Sequence, residues 1–388
     1  MTTRLDSYSD LYLRTLTEDV IPFWEKHCPD REYGAYFTCL DRDGSVYDTE
    51  KFMWMQWRIV WMLGELYAKL EPRPEWLRLA EDGYRFLTQH GRDGQGRYFF
   101  ALNRRGEPTM APYSVFSECF AVMGSASLYR ANRDPAAKAE ALRAFENYVA
   151  REACPKGEWT KEMAGRPPMS GLGFYMMKAN LQVVLQECLG GCSFGESLAE
   201  TIETVFGRFW NPARRVMLEN VTAEGGFDLE SMTGRHLNPG HAIEAMWFVM
   251  NAAGGMGRRD WVERAADIVL AELDFGWDRE HGGIYYFMDV LGKPHVELQW
   301  NAKLWWVHNE ALIATAMAYK LTGRSEFAEW FEKIHAWTWA RFPDPAYGEW
   351  FGYLDRYGRP THYLKGGKWK GFFHLPRMLL VVGQLLSR

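Results

Sequence analysis

A short run of alternating aromatic and polar residues with a glycine turn recurs six times along this 388-residue chain. The clear copies are GAYFTCLDRDGSVYD from Gly34, GRYFFALNRRGEP from Gly96, GGIYYFMDVLGKPH from Gly282 and GEWFGYLDRYGRPTHY from Gly348. Weaker ones are GEWTKEMAG from Gly157 and RVMLENVTAEGGFD from Arg215, so successive starts lie 62, 61, 58, 67 and 66 residues apart. A period of this length marks an array of units that bury their apolar faces only against one another. Alternation around a turn glycine predicts a β-hairpin in each clear copy. Between the hairpins, apolar residues at i, i+3, i+4 and i+7 trace twelve helices. Their predicted spans are 5–27, 50–70, 74–90, 114–131, 135–150, 170–190, 193–209, 239–254, 258–273, 301–322, 325–341 and 370–387. Capping chemistry supports them: Asn238-Pro239 opens one helix and Thr322-Gly323 closes another.

Six units of two helices and a hairpin close into an all-α double ring, an (α/α)6 barrel of six inner and six outer helices with the hairpins at one end. A linear solenoid is the alternative. The lack of a low-complexity linker or composition break favours closure, with 1–388 as one catalytic domain. The chain is 47% hydrophobic, enough for a large core, and its net charge of −5 gives no reason to expect nucleic acid or an anionic membrane as partner. No apolar run approaches the ~18 residues of a membrane span. MTTRLDSYSD resembles no signal peptide, and a cytoplasmic protein is expected. Aromatic residues make up 15% of the chain, which suits a packed core, a cleft for a flat sugar ring, or both. The six cysteines form no CxxC pair, and Cys188 and Cys192, four apart on a helix, read as two buried thiols. No metal is expected.

In such a barrel the hairpins and the adjoining ends of the inner helices form a cup. His27, His90, His281, His295, His335 and His362 fall in loops or on outer helices and read as solvated or core-satisfied side chains. GRHLNPGHAIEAMWFVM differs, because His241 falls in the first turn of a helix with Glu244 and Trp247 on the same face. The positive helix end is expected to lower the His241 pKa and favour a neutral base, or Glu244 simply satisfies His241. KGGKWKGFFHLPRMLL places His374 and Arg377 three apart across Pro376. LQWNAKLWWVHNEALIA sets Trp305, Trp306, His308 and Glu310 at the start of an inner helix, as core or as sugar cleft. Arg58 is a charge inside a very apolar helix, and Asn180 is a similar buried polar group. No GxxxxGK[ST] motif occurs, which argues against a P-loop nucleotide site.

NPGHAIEAMWF (238–248), KLWWVHNEALIA (303–314), GEWFGYLDRYG (348–358) and KGGKWKGFFHLPR (365–377) together resemble the N-acylglucosamine 2-epimerase family, also met as renin-binding protein. The resemblance runs through most of the chain and implies the same (α/α)6 barrel. It further implies a carbohydrate-metabolising isomerase that interconverts N-acetylglucosamine and N-acetylmannosamine. His241 and His374 match the two catalytic histidines, with Arg58, Glu310 and Arg377 around the reacting end of the sugar and Glu244 beside His241. Asn180, Trp247, Trp305, Trp306 and His308 complete the expected sugar contacts. The resemblance implies no cofactor for the chemistry, ATP as an activator that is not consumed, and a homodimer. The loop KGEWTKEMAGRPP, through Lys156, Lys161 and Arg166, is the candidate ATP contact.

The expected mechanism opens the sugar ring, so that the aldehyde at carbon 1 acidifies the hydrogen on carbon 2. One histidine removes it, giving an enediolate-like intermediate, and the other returns a proton to the opposite face. Arg58 and Arg377 would stabilise the oxyanion, while Glu310 and Glu244 would fix histidine tautomers and bind hydroxyls. The competing readings are an epimerase or isomerase of mannose, glucose or cellobiose, a glycoside hydrolase using Glu244 and Glu310, and a non-catalytic binding protein.

Overall fold

The computed structural model describes residues 4–387 apart from 162, 164, 166 and 192. Helix α1 covers residues 9–27, with a π-helical stretch at Thr15–Val20 between Ser9–Arg14 and Ile21–His27. Then follow α2 (Met53–Lys69), α3 (Pro74–His90), α4 (Phe116–Asn132), α5 (Pro135–Ala150) and α6 (Leu172–Leu189). The second half holds α7 (Gly195–Thr204), α8 (Pro239–Met256), α9 (Arg259–Gly276), α10 (Trp305–Thr322), α11 (Ser325–Trp339) and α12 (His374–Leu386).

Burial sorts these helices into two rings. Even-numbered helices are apolar nearly all round and buried accordingly: every residue of α10 from Trp305 to Ala318 is buried. Odd-numbered helices bury one stripe, as α3 does with Trp76, Ala80, Gly83, Phe86 and Leu87. The rings close where α12 meets the start of the chain, with Ser9 Oγ donating to Gly383 O (2.8 Å) and Gln384 Nε2 to Lys69 O (2.7 Å). The chain is an (α/α)6 barrel. Among the described residues no helix is long and apolar enough to cross a membrane.

Asn238 Oδ1 caps α8 by accepting the His241 N–H, and Gly323 ends α10 in the left-handed conformation, both as expected. Three predicted helix starts, at 50, 301 and 370, fall too early. Lys51–Phe52 and Lys303–Leu304 are extended and pair with Ala101–Leu102 and Tyr353–Leu354 of the following loop. Lys370 is held before α12 by Glu349 Oε1 and Lys365 O.

Hairpins form at the first and second copies, Cys39–Leu40 with Val46–Asp48 and Ala101–Leu102 with Pro108–Met110, while Val216–Met217 of the fourth pairs back with Trp210–Asn211, just before that copy begins. The sixth copy also turns back on itself, with Leu354 bridged to Pro360 and the Asp355 N–H donating to Arg359 O (2.8 Å), whereas the fifth differs from expectation. Met288–Asp289 pairs with His236–Leu237, and Tyr353–Leu354 with Lys303–Leu304, so their strands join neighbouring repeats. Among its described residues, the third copy makes a 3-10 turn at Gly157–Trp159.

Two devices tie hairpins to helices. A buried polar side chain near the start of an inner helix accepts a hairpin N–H: Gln56 from Tyr36 (3.0 Å), Glu118 from Tyr98 (3.1 Å) and His308 from Ile284 (3.0 Å). The second is an aspartate gripped by a lysine of its own repeat and an arginine of the next hairpin. It occurs as Asp30 with Lys51 and Arg104, Asp278 with Lys303 and Arg356, and Asp344 with Lys365 and Arg42.

Candidate active site

The inner helices run parallel, so their first turns meet at the hairpin end and carry the polar residues of the bore. His241 stands in the first turn of α8. Its Nδ1–H donates to Glu219, 2.9 and 3.1 Å from the two carboxylate oxygens, which leaves Nε2 free. His374 opens α12, with Nδ1 2.8 Å from Glu310 Oε1, and its Nε2 is likewise free. The Trp306 ring lies between the two, 5.3 Å from the His241 ring and 5.7 Å from that of His374. Gly240 makes room for it, since a Cβ there would stand 2.7 Å from the indole.

The two imidazoles are driven in opposite directions. Burial lowers the His241 pKa, but the Glu219 carboxylate outweighs it and the net shift is upward. Burial, then the positive charges of Arg58 and Arg377, hold His374 well below the usual histidine range. The downward shift expected for His241 from its helix end is therefore reversed. A helix terminus contributes roughly 0.3–1 kcal/mol, while a carboxylate in direct contact shifts a pKa by about 1–3 units. Their environments thus separate the two imidazoles in proton affinity, His241 upward and His374 downward.

Below them lies a charge cluster. One Arg377 nitrogen donates to Glu244 Oε1 and Glu310 Oε1, 2.6 Å from each, and Trp247 Nε1 donates to Glu310 Oε2 at 2.8 Å. Glu310 thus meets His374 at Nδ1, which Arg377 Nη2 also approaches at 3.3 Å. Glu244 does not meet His241 in this way, because it is turned to Arg377. Glu244, Glu310 and His374 converge closely enough to hold a cation, and the guanidinium of Arg377 takes that place between the carboxylates. Two carboxylates pinned to one nitrogen do not flank a glycosidic bond as hydrolysis requires.

Arg58 is buried in α2 with its guanidinium over the rings of Phe120, Trp54 and Phe373 at 4.1, 4.6 and 4.6 Å. Among the described residues it has no carboxylate partner within ion-pair distance, and burial pushes its pKa down to about 9. A buried cation without an anion is a preorganised seat for developing negative charge.

The structure brings together His241, His374, Arg58, Glu310, Arg377, Glu244, Trp247 and Trp306. Trp305 stands edge-on to His374 at 6.1 Å. His308 is excluded from the cup. Its Nδ1–H donates to Leu304 O (2.7 Å), its Nε2 accepts from Ile284, and its ring stacks on Trp337 of the outer ring at 4.7 Å. Burial pushes its pKa down to about 3. Asn180 lies deeper in the bore, its amide 3.8 Å from Met123 Sδ. Lys156 and Lys161 are exposed on the loop leading to α6, while Arg166 lies outside the described residues, as does Cys192.

Glu219 was not anticipated, although the repeat offered a signal. The first residues of α2, α6 and α10 donate their N–H to Phe100 O, Glu219 O and Gly352 O. These three positions are equivalent, and only the α6 copy carries a carboxylate.

A helical barrel whose cup holds two histidines shifted in opposite directions by their neighbours presents a candidate acid–base site of the (α/α)6 class. Residues 35–377 match the family model described as N-acylglucosamine 2-epimerase (GlcNAc 2-epimerase). The N-acylglucosamine 2-epimerase of Bos taurus is 38% identical, with 99% of this chain and 92% of the relative covered. That of Homo sapiens is 36% identical over 95% and 89%. A cellobiose 2-epimerase from Ruminococcus albus is 25% identical over 95% and 96%. A solved cellobiose 2-epimerase from Bacillus thermoamylovorans superposes with a TM-score of 0.84 at 20% identity, over 97% of this chain and 99% of the other. The chain belongs to the N-acylglucosamine 2-epimerase family.

Proposed function

We propose that this protein interconverts N-acetylglucosamine and N-acetylmannosamine by moving the proton on carbon 2 of the open-chain sugar. The observation that carries this reading is the pair of oppositely poised histidines whose free Nε2 atoms share one cup. From one epimer, His374 Nε2 removes the carbon-2 proton and the electron pair moves onto the carbonyl oxygen. Arg58 receives that oxyanion. His241 Nε2–H then protonates carbon 2 from the other face, which inverts it. The reverse reaction uses the same two groups with roles exchanged. Near-full-length identity of 36–38% to relatives named N-acylglucosamine 2-epimerase, against 23–25% to those named cellobiose 2-epimerase, supports the N-acyl substrate over mannose, glucose or cellobiose.

The family resemblance also supports a homodimer, a cytoplasmic location and ATP as an unconsumed activator. The exposed Lys156 and Lys161 are the proposed ATP contacts, and the chemistry asks for no cofactor. Proton NMR of the protein with N-acetylmannosamine in D₂O, with and without ATP, tests the assignment. N-acetylglucosamine carrying deuterium at carbon 2 is expected, and His374→Ala should lose it by about 10²-fold or more. Unchanged N-acetylmannosamine would sink the N-acyl reading.

A further inference from the structure

The bore is not solid behind the catalytic cluster. A cavity of about 390 Å³ lies toward the C-terminal ends of the inner helices, opposite the hairpins. Its floor toward the catalytic end is Trp247 and Arg377, and its outer wall includes Glu65, Glu187 and Asn251. The volume is within the roughly 300–1,000 Å³ of small-molecule sites.

The lining specifies the ligand. Trp61 and Asn180 each face the cavity while 92% buried (8% exposed). Trp61 lends the wall its indole, and the Asn180 amide nitrogen meets only the Met123 thioether, at 3.8 Å. A buried donor left unpaired costs about 1–3 kcal/mol, which a bound hydroxyl would relieve. The lining charges are largely spoken for, Glu65 by Arg130 and Lys69 and Arg377 by Glu244 and Glu310, which leaves Glu187 at the exposed rim. Indole faces, carboxamides and paired charge suit a neutral, hydroxyl-rich ring and give no seat for a net anion or cation.

We infer that this far-end cavity is a second binding site, for an uncharged polyhydroxy ligand of monosaccharide size, coupled to the catalytic cluster. The coupling follows from its floor. Trp247 and Arg377 both hold Glu310, and Glu310 holds His374, so an occupant touching that floor acts on the base through one intervening carboxylate.

Calorimetric titration of the full chain with the methyl glycoside of N-acetylglucosamine tests this. Its ring cannot open, so binding is read without turnover, and the count of two rests on the proposed N-acyl sugar filling the catalytic cup. Asn251→Trp and Glu187→Trp each fill the cavity from an exposed position outside the catalytic cluster. Two sites per chain are expected in the wild type and one in each variant, with kcat/KM at low sugar kept within twofold. Saturable modulation of kcat at high sugar should disappear in both variants. A single wild-type site that survives in both variants, or unchanged stoichiometry in the folded variants, would overturn the inference, whereas a single wild-type site lost in both would sink the N-acyl reading of the cup instead.

Discussion

His241 and His374 are the same side chain near the starts of two inner helices, and their neighbours alone set them apart. Glu219 raises the first, while burial with Arg58 and Arg377 lowers the second. The productive form carries one proton shared by the pair. Activity should fall in acid as His374 gains a proton, below the ordinary histidine range. It should fall in alkali as His241 loses its own, above that range. Both reaction directions must show the same limbs, since the overall equilibrium does not involve solvent protons. Glu219→Gln removes the charge that raises His241. The alkaline limb should move to lower pH and kcat should drop by about 10²-fold or more, with KM changed only a few-fold. An unshifted alkaline limb in the pH profile would remove Glu219 from this role. Both histidines were legible because each sits in a distinctive local motif. Glu219 was not, because it comes from a hairpin 22 positions before its partner, and sequence spacing predicts contacts along a helix, not across a fold.

At the scale of elements, helix periodicity placed all twelve helices, while their N-terminal boundaries gave way where a two-residue strand pairs with the next repeat. His308 illustrates what periodicity cannot supply. Two tryptophans and a glutamate around it in sequence point to a sugar contact. In the fold it does for the fifth copy what Gln56 and Glu118 do for the first two. A side chain that accepts one N–H at that position is what the repeat needs. His308→Gln should therefore keep activity within a few-fold and shift the denaturation midpoint little. His308→Leu leaves the Ile284 N–H buried and unpaired, at a cost of about 1–3 kcal/mol. Equal loss of activity in both variants, with stability intact, would return His308 to the cup.

The whole molecule is a ring, and its seam lies between the sixth repeat and the first. Asp344 of the sixth repeat is gripped by Lys365 of its own repeat and by Arg42 of the first hairpin. Lys365 N–H also donates to Leu40 O at 2.9 Å. Lys365 and Asp344 have fully buried side chains, and removing one partner of a buried pair costs about 3–5 kcal/mol. Lys365→Met should lower stability by that amount in denaturant titration. Hydrogen exchange should accelerate first in α1 and α12, the two helices that meet at the seam. Even acceleration around the ring would mean that the seam has no special weakness. The six-fold repeat made closure legible, whereas the grip could not be read, because each arginine belongs to a different repeat from its aspartate.

That grip at the seam repeats the one at two internal joints, Asp30 with Lys51 and Arg104, and Asp278 with Lys303 and Arg356. The junction without a peptide bond is thus built like junctions that have one. Ser9 and Gly383 are already hydrogen-bonded across it, so a short linker could splice the two ends, and the chain could be cut open at an exposed turn elsewhere. The ring is, in effect, indifferent to where translation starts, and a circular permutant would present the same cup from a differently ordered gene.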